Sequence, residues 1–157
     1  MGRQQIITKG ITQGVYVVTV RAKDKINGMT AAWVSQVSFK PAYLMVAIAP
    51  QRYTYGLIQE SGYFCLNALK GGQIDLAKHF GFKSGRQEDK FQGIDFLSAL
   101  KGSPVLKEAF AYYECEVVST CEAGDHVLFI GEVVDCAIQD EAAKPLIFRW
   151  DDYFGSK

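Results

Sequence analysis

Short apolar stretches of strand length, broken by glycine, proline and charge, dominate this chain. Val15 to Arg21 is rich in β-branched residues and predicts a strand. Lys23-Asp24-Lys25 is a polar turn. Asn27-Gly28, a pair that favours positive φ, then starts a second apolar stretch running to Ala32. Trp33 to Phe39 alternates loosely, and Pro41 ends it. Tyr43 to Ala49 is continuously apolar between Pro41 and Pro50, which predicts a strand buried on both faces. Tyr63 to Leu69 reads as a further strand. In Tyr113-Glu114-Cys115-Glu116-Val117 apolar and charged residues alternate strictly, the pattern of a half-buried antiparallel strand. Glu122 to Asp125, with Gly124, supplies a turn, and His126 to Val134 is the return strand.

Helical signals are few. Thr54 to Ser61 predicts a helix with Thr54 as its N-cap and Gly62 as its stop. Asp75 to Phe80 predicts a short helix ending at Gly81. Phe82 to Gly102 reads as loop with one helical turn, and Leu146 to Phe154 is an aromatic-rich last segment. Many short strands with small capping helices predict one mainly β domain, an antiparallel barrel, over all 157 residues.

Charge narrows the function. Seventeen basic residues balance seventeen acidic ones, which argues against a nucleic-acid binder. The distribution is uneven. Residues 1–53 hold seven Lys/Arg against Asp24 alone, a net +6, while residues 108–157 hold three against eleven Asp/Glu, a net −8. A basic front half suits an anionic small molecule, and equally suits simple pairing of the two halves in the fold. Cys65, Cys115, Cys121 and Cys136 form no CxxC pair, and only two histidines could join them, so no metal site is expected. Each cysteine sits in an apolar stretch, which predicts reduced, buried thiols. No segment has the ~20 apolar residues of a membrane span, and Met1 to Gly10 has no signal-peptide core. These features together predict a cytoplasmic protein.

Phosphate-loop, dinucleotide-fold and nucleophile-elbow patterns are missing from the sequence. The informative stretch is Asn27 to Ser38, which carries small and hydroxyl residues where a barrel strand normally carries bulk. Small residues admit a flat ligand close to the backbone; a tight strand crossing is the other reading. Ile48-Ala49-Pro50-Gln51-Arg52-Tyr53-Thr54 joins a strand end to a helix start. Such a start suits a phosphate, and Arg52 adds a forked cation. Thr54 serves either the phosphate or the helix as a cap.

Several segments in order are similar to the flavin reductase-like family of FMN-binding split barrels. They are Asn27 to Ser38, Lys40-Pro41, Arg52-Tyr53-Thr54, Ser61 to Asn67, Leu76-Ala77-Lys78-His79-Phe80, Asp89-Lys90-Phe91 and Gly124-Asp125-His126 through Val133. At one point the pattern departs: Tyr53-Thr54 stands where the family often has Ser-Thr. The resemblance implies a six-stranded Greek-key barrel that forms a homodimer, with FMN (FAD also possible) near the subunit interface. It implies that Met29, Thr30, Ala31, Ser35, Gln36, Val37 and Ser38 line the flavin ring. Arg52, Tyr53 and Thr54 would hold the phosphate beside Ile48 and Ala49. Asn67, Lys90 and Phe91 would approach the same site. His126 resembles the histidine that faces the nicotinamide of NAD(P)H, against a plain turn-stabilising role. The implied reaction passes hydride from NAD(P)H to flavin and electrons on to an oxygenase or other redox partner. The same motifs also resemble flavin domains working with rubredoxin and diiron flavoproteins. That implies a second reading, an electron relay without NAD(P)H oxidation.

Overall fold

The computed structural model describes residues 1–155. Helix α1 (Arg3–Gly10) leads into strands β1 (Tyr16–Ala22), β2 (Lys25–Ala31), β3 (Val34–Ser38) and β4 (Tyr43–Ile48). Helix α2 (Tyr53–Ser61), β5 (Tyr63–Ala68) and α3 (Ile74–Gly81) follow. Then come β6 (Phe96–Ser98), β7 (Pro104–Leu106), β8 (Ala111–Ala123), β9 (His126–Ile138) and α4 (Trp150–Phe154).

Seven strands form one antiparallel sheet in the order β2-β1-β5-β8-β9-β4-β3, and β6 pairs with β7 separately. Both edges of the large sheet, β2 and β3, belong to one stretch broken only at Ala32-Trp33. The sheet must therefore roll until its edges meet, which is the split barrel. Counted as one bent strand, that stretch gives the expected six; counted by hydrogen bonding, there are seven. Strand β6 lies inside the Phe82 to Gly102 stretch expected to be loop, and its partner β7 lies just beyond it.

The period of two in β1 places two cores. Val18, Val20 and Ala22 join Val46, Ile48, Phe64, Leu66 and Phe129 in one cluster. Val15 and Val17 point the other way, to Phe80, Phe91 and Leu106. Each such aliphatic side chain contributes roughly 1.5–3 kcal/mol on burial. Gly131 keeps the first core closed, since a Cβ there would lie 2.6 Å from the Cys115 Cβ and 2.9 Å from the Phe64 ring.

Several local expectations change. The tight turn is at Lys23, with φ 56°, whereas Asn27-Gly28 lies inside β2 opposite Val20 and Thr19. Gly28 is needed for space: a Cβ would meet the Phe80 ring at 3.0 Å and Val17 at 3.2 Å. Only the second half of β4 is fully buried. Gly62 does stop α2, at φ 77°. Glu114, expected on the wet face of an alternating strand, is wholly buried. Its carboxylate accepts from the backbone N–H of Lys101 (2.6 Å) and Ser103 (2.9 Å), satisfying a charge that burial otherwise penalises. A register shift at Glu114/Cys115 breaks the simple alternation there. Cys65 and Cys115 are buried, but Cys121 and Cys136 are exposed near the far ends of β8 and β9; all four are free. The unforeseen α1 has no buried residue.

Among the described residues, no helix is long and apolar enough to cross a membrane. No group of three or more His, Cys, Asp or Glu gathers there to hold a metal ion.

Candidate functional site

Chain geometry brings β2, the β4–α2 turn, the end of α3 and the loop after it around one cavity of about 150 Å3. The turn tightens through the Arg52 N–H bond to the Ala49 carbonyl, 3.0 Å. Arg52 is then the extended N-cap of α2, so Thr54 falls within the first helical turn instead of capping it. Thr54 is buried, and its hydroxyl accepts from Asn27 Nδ2 at 2.9 Å. The first backbone N–H groups of this nine-residue helix have no partner within the helix.

Four cations line the cavity, Arg52, Lys83, Arg86 and Lys90, with no carboxylate among its walls. Arg52 alone comes from the basic front of the sequence; the other three come from the middle, which shows no such excess. Lys90 is the buried one. Its ammonium donates to the Gly28 and Phe80 carbonyls, both at 2.8 Å. An ammonium has three donors, so one remains for a ligand. Burial, and next the Arg52 charge, pull Lys90 down to about 8, against a smaller opposing pull from Glu88. An anion entering the cavity reverses that pressure.

A larger groove, about 360 Å3, adjoins the cavity and shares Met29, Thr30 and Arg52 with it. Ala31, Ala32, Ala47 and Ala49 line it with small side chains, and Gln4 of α1 with Trp150 and Phe154 of α4 lies along it. His126 and Trp33 also border it, their ring centroids 4.6 Å apart. Asp125 Oδ1 lies 2.7 Å from His126 Nδ1. That hydrogen bond, together with the imidazole's charge, holds the Asp125 carboxyl below the usual carboxylate range.

The two hollows bring together Met29, Thr30, Ala31, Ala49, Arg52, Tyr53, Thr54, Lys90 and His126. Other expected site residues lie elsewhere. Ile48 is wholly buried in the barrel core. Asn67 is also buried. It donates to Val17 O (3.1 Å) and Thr19 Oγ1 (3.0 Å) and accepts from the Leu106 N–H (2.8 Å), so its polar atoms already tie strands together. Phe91 packs between Phe80 and Phe96. Gln36, Val37 and Ser38 line a separate hollow with Phe39, and Ser35 is exposed on the same edge strand. Asn27, which opens the informative stretch, stands at the cavity too, and so do Gly85 and Arg86, which sequence patterning did not select. The basic Lys83-Ser84-Gly85-Arg86 run inside a weakly patterned loop was the available signal.

The flavin reductase-like domain model matches residues 8–157. This chain belongs to that family. Among solved structures, the flavin reductase-like domain is similar to an FMN-binding protein from Thermus thermophilus with bound 1-cyclohex-2-enone. The TM-score is 0.83 at 32% identity, covering 90% of this chain and 84% of that one. It is similar also to the flavin reductase PheA2 in its native state, with TM-score 0.81 at 33% identity, covering 95% and 94%. A putative diflavin flavoprotein A 3 from Nostoc is 38% identical over 74% of this chain and 20% of its own length. The high molecular weight rubredoxin of Moorella thermoacetica is 37% identical over 82% and 57%. The first curated relatives are thus longer, and this chain spans a fifth to about half of them. Family membership and these neighbours support a flavin-binding domain.

Proposed function

We propose that this flavin reductase-like domain holds FMN, accepts hydride from NAD(P)H and passes the electrons to a second redox acceptor. The carrying observation is the junction at Met29, Thr30 and Arg52, where an acid-free cationic cavity opens into an alanine-lined groove. A phosphate fits the first and a flat ring fits the second. Arg52, Lys90 and the first N–H groups of α2 hold the phosphate; Ala31 and Ala49 let the ring approach the backbone. When bound, FMN supplies the hydride-accepting chemistry. The chain's part is to bind, orient and exclude water. His126, steadied by Asp125 and Trp33, presents its other ring nitrogen to the nicotinamide.

Stopped-flow mixing of the FMN-loaded protein with NADH or NADPH tests this reading. Flavin absorbance should bleach with one of the two, and His126→Ala should slow bleaching about tenfold or more through lost orientation. The relationship to the Moorella rubredoxin favours a second reading, a relay fed by a protein partner. The relay predicts no bleaching by either nucleotide and rapid bleaching by a reduced rubredoxin.

The proposed working unit is a homodimer. Val37 is 50% and Phe39 86% exposed at the β3 edge, an apolar edge of the kind that a second copy covers. Sedimentation at micromolar concentration should give twice 17.4 kDa; a 17.4 kDa species would remove the dimer.

A further inference from the structure

The strap after α3 does more than add charge. It is fastened at both ends. At one end Lys90 Nζ bonds the Gly28 and Phe80 carbonyls, and the Lys90 carbonyl lies 2.6 Å from His79 Nε2. At the other end Gly85 sits against β2 and α2. A Cβ there would collide with the Asn27 carboxamide and lie 2.9 Å from the Tyr53 ring, so only glycine allows that approach. At that same end the chain turns about Gly85, and the Ser84 hydroxyl accepts from the Arg86 N–H at 3.2 Å.

This seating throws Arg86 across the cavity. Its Nη1 donates to the Gln51 carbonyl on the opposite wall, 2.9 Å away. Its guanidinium lies 5.4 Å over the Tyr53 ring, a cation–π contact that holds the bridge in place. Gln51 and Arg86 both line the cavity, so the bond joins its two walls. Arg52, shared with the ring groove, stands on the side where a flavin enters.

The geometry points to Arg86 as the residue that closes the phosphate end to anything longer than a monophosphate, so that this site selects FMN over FAD. The inference rests on the flavin reading above and adds a selectivity that family membership does not supply. The cavity's 150 Å3 is below the roughly 300 Å3 at which pockets for larger organic ligands begin. A terminal phosphate is accommodated with the bridge intact. In the proposed arrangement the adenylate arm of FAD leaves through the Gln51–Arg86 gap. It therefore breaks a charge-assisted hydrogen bond and the stacking contact together, and FMN gains roughly tenfold over FAD.

Titration of the flavin-free protein by fluorescence quenching with FMN, FAD and riboflavin tests the closure, on wild type, Arg86→Ala and Arg86→Lys. Circular dichroism checks that each variant is folded. The expected wild-type preference for FMN over FAD is roughly tenfold, falling to about twofold or less in Arg86→Ala, with riboflavin unchanged in all three. Arg86→Lys keeps the charge but loses the fork and the stacking, so its preference should also fall. If Arg86→Ala weakens FMN and FAD equally while Arg86→Lys restores both, Arg86 acts through charge alone and the closure is wrong. Equal wild-type affinity for FMN and FAD also overturns it, and leaves the flavin reading standing. Wild type that binds no flavin overturns both.

Discussion

Replacing Arg52 with Glu lowers FMN affinity about a hundredfold and leaves riboflavin within about threefold. The two ligands differ only in the terminal phosphate, so the contrast isolates the anion site from the ring groove. Arg52 suits that role by position. It is the N-cap residue of α2, and it lies where the cationic cavity meets the groove. A glutamate there removes a permanent donor and sets a carboxylate against a dianion. Binding measured by flavin fluorescence quenching decides the matter. Equal loss of both ligands would mean that the substitution deformed the groove and that the phosphate lies elsewhere.

FMN affinity should also fall by up to about tenfold per pH unit above pH 8, while riboflavin affinity stays flat over the same range. Lys90 lies at about 8, chiefly through burial and then through Arg52. A bound phosphate favours the charged ammonium and raises it. Binding at pH 8 to 9 therefore takes up a proton, and a ligand that takes up a proton binds more weakly as pH rises. The effect starts at the free-state value and ends where the bound lysine itself titrates. Calorimetry in buffers of different ionisation heat reads the uptake directly, and Lys90→Met should abolish it. No uptake in wild type would detach Lys90 from the phosphate. Melting is a poorer probe. Burial also raises the thiols of Cys65 and Cys115, the latter to about 12, and these favour unfolding over the same alkaline range.

Sequence by itself determined the parts of this molecule that depend on near neighbours. A β-branched run makes β1, a left-handed glycine at 62 ends α2, and Gly124 turns β8 into β9. It also determined the family, because ordered motifs survive in the chain whatever their spatial arrangement. The ends of the site were legible for the same reason: Arg52 and His126 sit in recognisable local contexts.

Only the tertiary structure decided which of the remaining polar residues serve a ligand and which serve the fold. Asn67 and Lys90 looked alike in the sequence, as polar residues in matching motifs. In space Asn67 is consumed by three bonds to neighbouring strands, whereas Lys90 keeps a donor at a cavity wall. Glu114 reads as a solvent-facing charge until the loop at Lys101 to Ser103 folds over it. Arg86 lies 34 positions beyond Arg52 in a stretch with no periodicity, yet it meets the carbonyl of Gln51. The physical reason is common to all three. A polar side chain's role is set by which donors and acceptors reach it, and those arrive from strands and loops far away in the chain. Periodicity reports only which way a residue faces.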